Sequence, residues 1–162
     1  MIEGWKIVRR AIFPLTAMLL VAGSVSAQSK PVRASFESVG ADRRAIQALL
    51  DTYTRAVSTK DEALFETVLL NKAIPFSDAE SAIRRGSIEN GTQNYEAFRK
   101  GVFGGAPFRQ TFRDVRVLQD GPLAQVSLVF VNTDASGSAS GWKTLQLLKV
   151  DGHWKIASEF YT

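Results

Sequence analysis

At Phe108 the apolar residues of this chain change from a helical repeat to a strand repeat, and they do not change back. Upstream, Ile46, Leu49, Leu50, Tyr53 and Val57 recur at the steps that place side chains on one face of a helix. Arg43, Arg44, Gln47, Asp51 and Arg55 take the other face, and Asp42 stands where an N-cap belongs. Ser58-Thr59-Lys60-Asp61 breaks the pattern, and Asp61 is placed to cap a second, shorter helix carrying Leu64, Phe65 and Val68. Ile74 and Phe76 mark a short extended piece, which Pro75 confines to an edge or an irregular position. Residues 77–86 read as a helical turn or a loop. Asn90-Gly91 signals a turn, Thr92 is placed to cap a third helix with Tyr95 and Phe98 inward, and the Gly- and Pro-containing stretch 101–107 ends it.

Downstream of Phe108 four strand-like runs follow, at 108–118, 123–133, 141–150 and 153–161. Asp120-Gly121 separates the first two, a small polar loop at 134–140 the next two, and Asp151-Gly152 is a tight-hairpin signal between the last two. In the second run Ala124, Val126, Leu128 and Phe130 face inward, and Gln125, Ser127, Val129 and Val131 face outward. In the third, Gln146 is assigned to the concave face together with Trp142, Thr144, Leu148 and Val150. Helices first and an antiparallel meander afterwards predict an α+β fold, with three N-terminal helices covering one face of a curved sheet.

Residues 1–27 read as a cleavable signal peptide. Lys6, Arg9 and Arg10 precede an apolar run from Ala11 to Val25, and Val25-Ser26-Ala27 presents small residues for cleavage between Ala27 and Gln28. The run is shorter than the roughly 20 residues a spanning helix needs, and Pro14 interrupts it, so no stable membrane anchor is expected after cleavage. The expected location is periplasmic or secreted. Losing this segment removes three basic residues and one acid and lowers the formal net charge from +4 to +2. The remaining basic residues are scattered pairs rather than a stripe, which argues against nucleic-acid binding. The polar residues 28–41 read as a flexible leader, and 42–162 as the domain.

The chain has no Cys and one His, His153, which follows the Asp-Gly turn and is expected at the surface. Disulfides are excluded, and zinc, haem, copper and iron–sulfur sites lack their usual ligands, so neither a metal nor a cofactor is expected. Asn90-Gly91-Thr92 matches a glycosylation acceptor, which the bacterial character of the chain discounts.

The ending Trp142-Lys-Thr-Leu-Gln-Leu-Leu-Lys-Val-Asp-Gly-His-Trp-Lys-Ile156 resembles the last hairpin of SnoaL-like and lumazine-binding-like members of the nuclear transport factor 2-like (NTF2-like) group. The opening, Ile46 to Asp78, is similar to theirs as well. The resemblance implies a cone whose curved sheet wraps the first long helix around a pocket, often paired through its sheet as a homodimer. It also permits a comparison with ketosteroid isomerase, which uses a helix tyrosine, a strand acid and a carboxylate base. By position Tyr53 matches the tyrosine, Gln146 the strand acid, and Asp78 the base after a one-residue slip. Gln146 is an amide and lacks the acidic donor that chemistry needs. The implied pocket is lined by Leu50, Phe76, Phe98, Phe112, Phe130, Trp142, Thr144, Leu148 and Trp154. Two readings follow: a module that binds a small molecule or a protein partner without catalysis, or an isomerase, cyclase or dehydratase that moves a proton on a small cyclic or apolar substrate.

Overall fold

The computed structural model describes residues 36–85 and 93–162. The predicted signal peptide, residues 28–35 of the leader and the Asn90-Gly91-Thr92 turn lie outside them.

Helix α1 (Gly40–Thr59) buries Ile46, Leu49, Leu50, Tyr53, Ala56 and Val57, the predicted stripe with Ala56 added. It ends where Lys60 turns left-handed at φ 59° and its N–H bonds back to Ala56 and Val57. Asp61 caps α2 (Glu62–Glu66) as expected, its carboxylate accepting the Leu64 N–H at 2.9 Å. The extended piece is β1 (Phe76–Asp78). The 77–86 stretch resolves into α3 (Ala79–Arg85), whose start Asp78 caps by accepting the Ser81 N–H. Helix α4 (Tyr95–Phe103) begins after Asn94, which stands at the cap position; Thr92, the expected cap, lies outside the described residues. The strands are β2 (Arg109–Asp120), β3 (Leu123–Asp134), β4 (Gly137–Val150) and β5 (His153–Tyr161). Strand β4 starts four residues before the predicted third run, because Ser138, Ala139 and Ser140 pair with Thr133, Asn132 and Val131 in place of looping out.

The sheet order is β1-β5-β4-β3-β2. β2 to β5 form the predicted antiparallel meander, and β1 adds at the edge parallel to β5. Two bulges interrupt the ladders. One lies between Arg113 and Arg116 on β2, where Asp114 takes φ 55°. The other places one extra β5 residue, Ala157, between the Gln146–Ser158 and Leu147–Ile156 pairs. Each bulge bends its strand and increases its twist, which curves the sheet around α1.

The end of the leader is held. Gln119 donates its N–H to the Phe36 carbonyl and Ser38 donates to the Val117 carbonyl, so residues 36–38 cover the free edge of β2. Asp42, expected as an N-cap, lies inside the first turn of α1, with Val39 at the cap position. Its carboxylate accepts Lys149 Nζ at 2.7 Å, Gln119 Nε2 at 2.8 Å and Trp154 Nε1 at 3.2 Å, tying the start of α1 to three strands.

Within the cone Phe65 is fully buried, its ring centroid 4.7 Å from Tyr53, 5.4 Å from Phe98 and from Phe103, and 5.8 Å from Tyr95. Removing this ring leaves a cavity among rings that cannot all collapse into it. Phe65→Ala is expected to lower unfolding free energy by about 3–5 kcal/mol in urea titrations.

Asp42 yields a pH-dependent expectation. Hydrogen bonds from Lys149, then Gln119 and Trp154, hold its carboxyl at about 2, below the ordinary 3.8. A depressed carboxyl contributes stability that is present above the unfolded value and is lost as pH falls through the folded one. Asp42→Asn should therefore unfold at lower urea than the parent near neutrality. The gap should be constant above pH 3.8 and close as pH falls toward about 2. A gap independent of pH would contradict this account.

Candidate functional site

Among the described residues, the charged side chains buried within the cone gather in one cluster. Tyr53 projects from the middle of α1, Lys143 from β4 and Glu159 from β5, and their relative exposures are 0%, 2% and 0%. The Tyr53 hydroxyl donates to Glu159 Oε1 at 2.9 Å. Lys143 Nζ donates to the Tyr53 hydroxyl at 2.5 Å and pairs with Glu159 Oε1 at 2.5 Å. Rings surround the ammonium: its nitrogen lies 4.5 Å from the Tyr53 centroid, 5.3 Å from Tyr161, 5.4 Å from Phe130, 5.7 Å from Phe112 and 5.8 Å from Phe98. A buried cation gains from ring faces as well as from its counter-ion. The second carboxylate oxygen, Glu159 Oε2, is buried with no hydrogen-bond partner among the described residues.

Burial dominates the titration of all three groups. It pushes Glu159 up from the carboxylate range, with the Lys143 charge opposing, and pulls Lys143 down, with the Glu159 charge opposing. It pushes Tyr53 well above the ordinary phenol, reinforced by Glu159. Tyr161, half-buried, is raised to about 12 by burial and by the charges of Glu159 and Asp78. None of these shifts makes Tyr53 a ready acid: burial tightens the hold on the protons of Tyr53 and Glu159 and loosens the hold on that of Lys143.

Tyr53 lies inside the cone, as the resemblance implied. Asp78 is half-buried at the end of β1, paired in register with Tyr161, and its carboxylate caps α3. Gln146 contradicts its assignment. The inward residues of β4 are Lys143, Leu145 and Leu147, which puts Gln146, Trp142, Thr144 and Leu148 on the outer face. Tyr53, Asp78 and Gln146 therefore do not converge. Of the other expected pocket residues, Leu50, Phe76, Phe98, Phe130 and Trp154 are buried core and Phe112 is half-buried. The interior that the resemblance made a pocket is filled by these rings. His153 is exposed, as expected. Among the described residues no group of three His, Asp or Glu side chains gathers to hold a metal ion.

Lys143 and Glu159 were missed for different reasons. A lysine at a strand position reads as outward, because a buried ammonium is costly unless paired. The signal that corrects it is the last hairpin. Asp151-Gly152 sets Val150 opposite His153, hence Lys149 opposite Trp154 and Leu147 opposite Ile156. If Trp154 and Ile156 are core, Leu147, Leu145 and Lys143 share their face and Gln146 does not. Glu159 follows from no such count, because the Ala157 bulge reverses the alternation of β5 before it arrives.

Breaking this cluster and replacing it should differ. Lys143→Met leaves Glu159 buried without its counter-ion, and a loss of about 3–5 kcal/mol of unfolding free energy is expected. The double variant Lys143→Met, Glu159→Leu should recover most of that loss. Chemical denaturation of the two variants beside the parent measures both. A single variant as stable as the parent would show that the pair is hydrated in solution.

Residues 41–162 match the family model described as putative lumazine-binding. Comparison with curated proteins finds no match. Among solved structures, an NTF2-like protein of unknown function from Pseudomonas putida superposes at TM-score 0.60 with 18% identity, covering 75% of this chain and 86% of that one. An NTF2-like protein from Cytophaga hutchinsonii superposes at 0.61 with 17% identity, covering 76% and 98%. The CaMKII hub of S. rosetta superposes at 0.56 with 18% identity, covering 74% and 94%. Identities this low speak for the shared fold alone. Over residues 41–162, then, this chain belongs to the putative lumazine-binding family and has the NTF2-like fold.

Proposed function

We propose that this domain binds a small molecule without catalysis, at the aromatic end of the cone above Lys143, in an exported protein cleaved between Ala27 and Gln28. The observation that carries the reading is Glu159 Oε2, a buried acceptor with no partner among the described residues, set within rings. Buried polar groups are rarely left unpaired without a functional reason. The cation of Lys143 and the anion of Glu159 offset one another, so the floor favours a neutral group that donates one N–H or O–H. The half-buried rings of Phe112 and Tyr161 favour a flat apolar body, and both must turn aside to admit it, since Lys143 is only 2% exposed. The family's description as putative lumazine-binding fits such a ligand.

Proton transfer is the competing reading, supported by the hydrogen bond from Tyr53 to Glu159. Against it stand the separation of Tyr53 from Gln146, the capping role of Asp78 and the upward push on the Tyr53 phenol.

Native mass spectrometry of protein purified from the periplasm tests the proposal. The expected spectrum shows a chain beginning at Gln28 with an added small-molecule mass that is lost on denaturation, the molecule being recovered chemically unchanged. A bare chain that also shows no thermal shift with lumazine would count against a pocket ligand. A bound molecule that exchanges hydrogen for deuterium in heavy water only in the presence of the protein would favour proton transfer.

A further inference from the structure

The face of the sheet turned away from α1 carries a groove. It has a volume of about 490 Å³, runs across β2, β3 and β4, and is lined by Glu37, Arg116, Leu118, Gln125, Ser127 and Trp142. The register explains why these side chains meet. Arg116 stands opposite Ser127, Leu118 opposite Gln125, and Trp142 opposite Val129, one row along. The bulge between Arg113 and Arg116 bends β2 across this face, and the held residues 36–38 bring Glu37 to its rim. Trp142 is 54% exposed, although a large aromatic surface is normally covered.

Among the described residues, the polar groups of this groove have few partners. Arg116 and Glu37 form no ion pair within the described residues, with each other or with any other group. The same residues show no side-chain hydrogen bond from Gln125, Ser127 or the Trp142 indole N–H. Gln146, beside Gln125 in the next strand, shares a smaller adjoining hollow with Phe36 and Leu123. The site therefore combines one exposed ring face with a guanidinium, a carboxylate, an amide and a hydroxyl.

We propose that this groove binds a neutral saccharide, one pyranose ring stacked on Trp142 and its hydroxyls held by Arg116, Glu37 and Gln125. The opposite charges of Arg116 and Glu37 offset each other, so the groove selects neither an anion nor a cation. Donors and acceptors occur together, which suits hydroxyl groups, since each both donates and accepts. Planar amide, carboxylate and guanidinium groups reach two neighbouring hydroxyls at once, as they do in other bidentate contacts. The electron-rich indole face attracts the polarised C–H bonds on the flat side of a sugar ring. This site lies on the opposite face from the Lys143 cluster, so its failure would leave the interior reading untouched.

The test is a titration of the purified protein with maltotetraose, cellotetraose and chitotetraose, followed by tryptophan fluorescence and by saturation-transfer NMR. At least one sugar is expected to give a saturable fluorescence change and to take up saturation from the protein. Trp142→Ala should weaken that binding about tenfold or more, as loss of an aromatic anchor does. Gln125→Ala should weaken it less, and both variants should keep the parent's unfolding midpoint within the ordinary range of surface substitutions. No saturable response to any of the sugars would overturn the proposal, as would unchanged binding by Trp142→Ala. Sedimentation decides the rival occupant: a dimer that Trp142→Ala dissociates, with no sugar response, would make this face the contact between two copies and overturn the saccharide site.

Discussion

A lysine and a glutamate with almost no exposure to water organise the interior of this domain. Neither charge is tolerable there alone, and the Coulomb attraction between them must offset the desolvation of both. The Tyr53 hydroxyl bridges them, so helix α1, strand β4 and strand β5 are joined at one point. The aromatic packing follows from this constraint. Rings from α1, α4, β2, β3 and β5 stand around the ammonium at 4.5–5.8 Å, supplying both the apolar fill of the cone and a favourable electrostatic surface for the cation. The far end of α1 is held by a second, wetter contact, where Asp42 accepts from three partners. The helix is thus fixed to the sheet by the buried Tyr53 contact, by the half-exposed Asp42 contact and, in its last turn, by Ser58, whose hydroxyl accepts the Gln110 N–H at 2.9 Å, with apolar side chains between them.

Much of this architecture was legible in the sequence because periodicity and turn chemistry agree with each other. The stripe on α1, the Asp61 cap and the strand alternation in β3 all follow from spacing alone. Asp151-Gly152 closes the last hairpin as its residues imply. Caps proved less legible. Asp42 has the right residue type for an N-cap, but the helix begins two residues earlier, and the carboxylate serves distant strands instead of the local N–H groups. A capping residue and a tertiary acceptor look the same in a sequence.

The site was harder to read than the fold. In β4 both faces carry apolar residues: Trp142 and Leu148 on one, Leu145 and Leu147 on the other. Alternation could not choose between them, and the charge of Lys143 argued for the wrong answer. The hairpin register held the correction, because it couples the phase of β4 to that of Trp154 and Ile156. In β5 even the register was insufficient. One extra residue at Ala157 turns Glu159 and Tyr161 inward, where uninterrupted alternation would have turned Ser158 and Phe160. The bulge coincides with a change of neighbour along the outer edge of β5. Residues 68–70 bond Ile156 on one side of it, and Pro75 and β1 take over at Glu159 on the other. That change of partner is a tertiary event with no local signature.

The partners of Tyr53 are remote along the chain, 90 residues away at Lys143 and 106 at Glu159. Synthesis therefore produces every described helix, the meander's first three strands and the buried ammonium before the carboxylate that neutralises it. A growing chain that stops short of Glu159 has most of its apolar surface available for collapse and an uncompensated charge at the centre of that surface. Collapse into the native arrangement is penalised until the last strand arrives, and contacts of such long range are slow to close even then. The order in which the residues are made thus delays commitment to the cone until it can be completed.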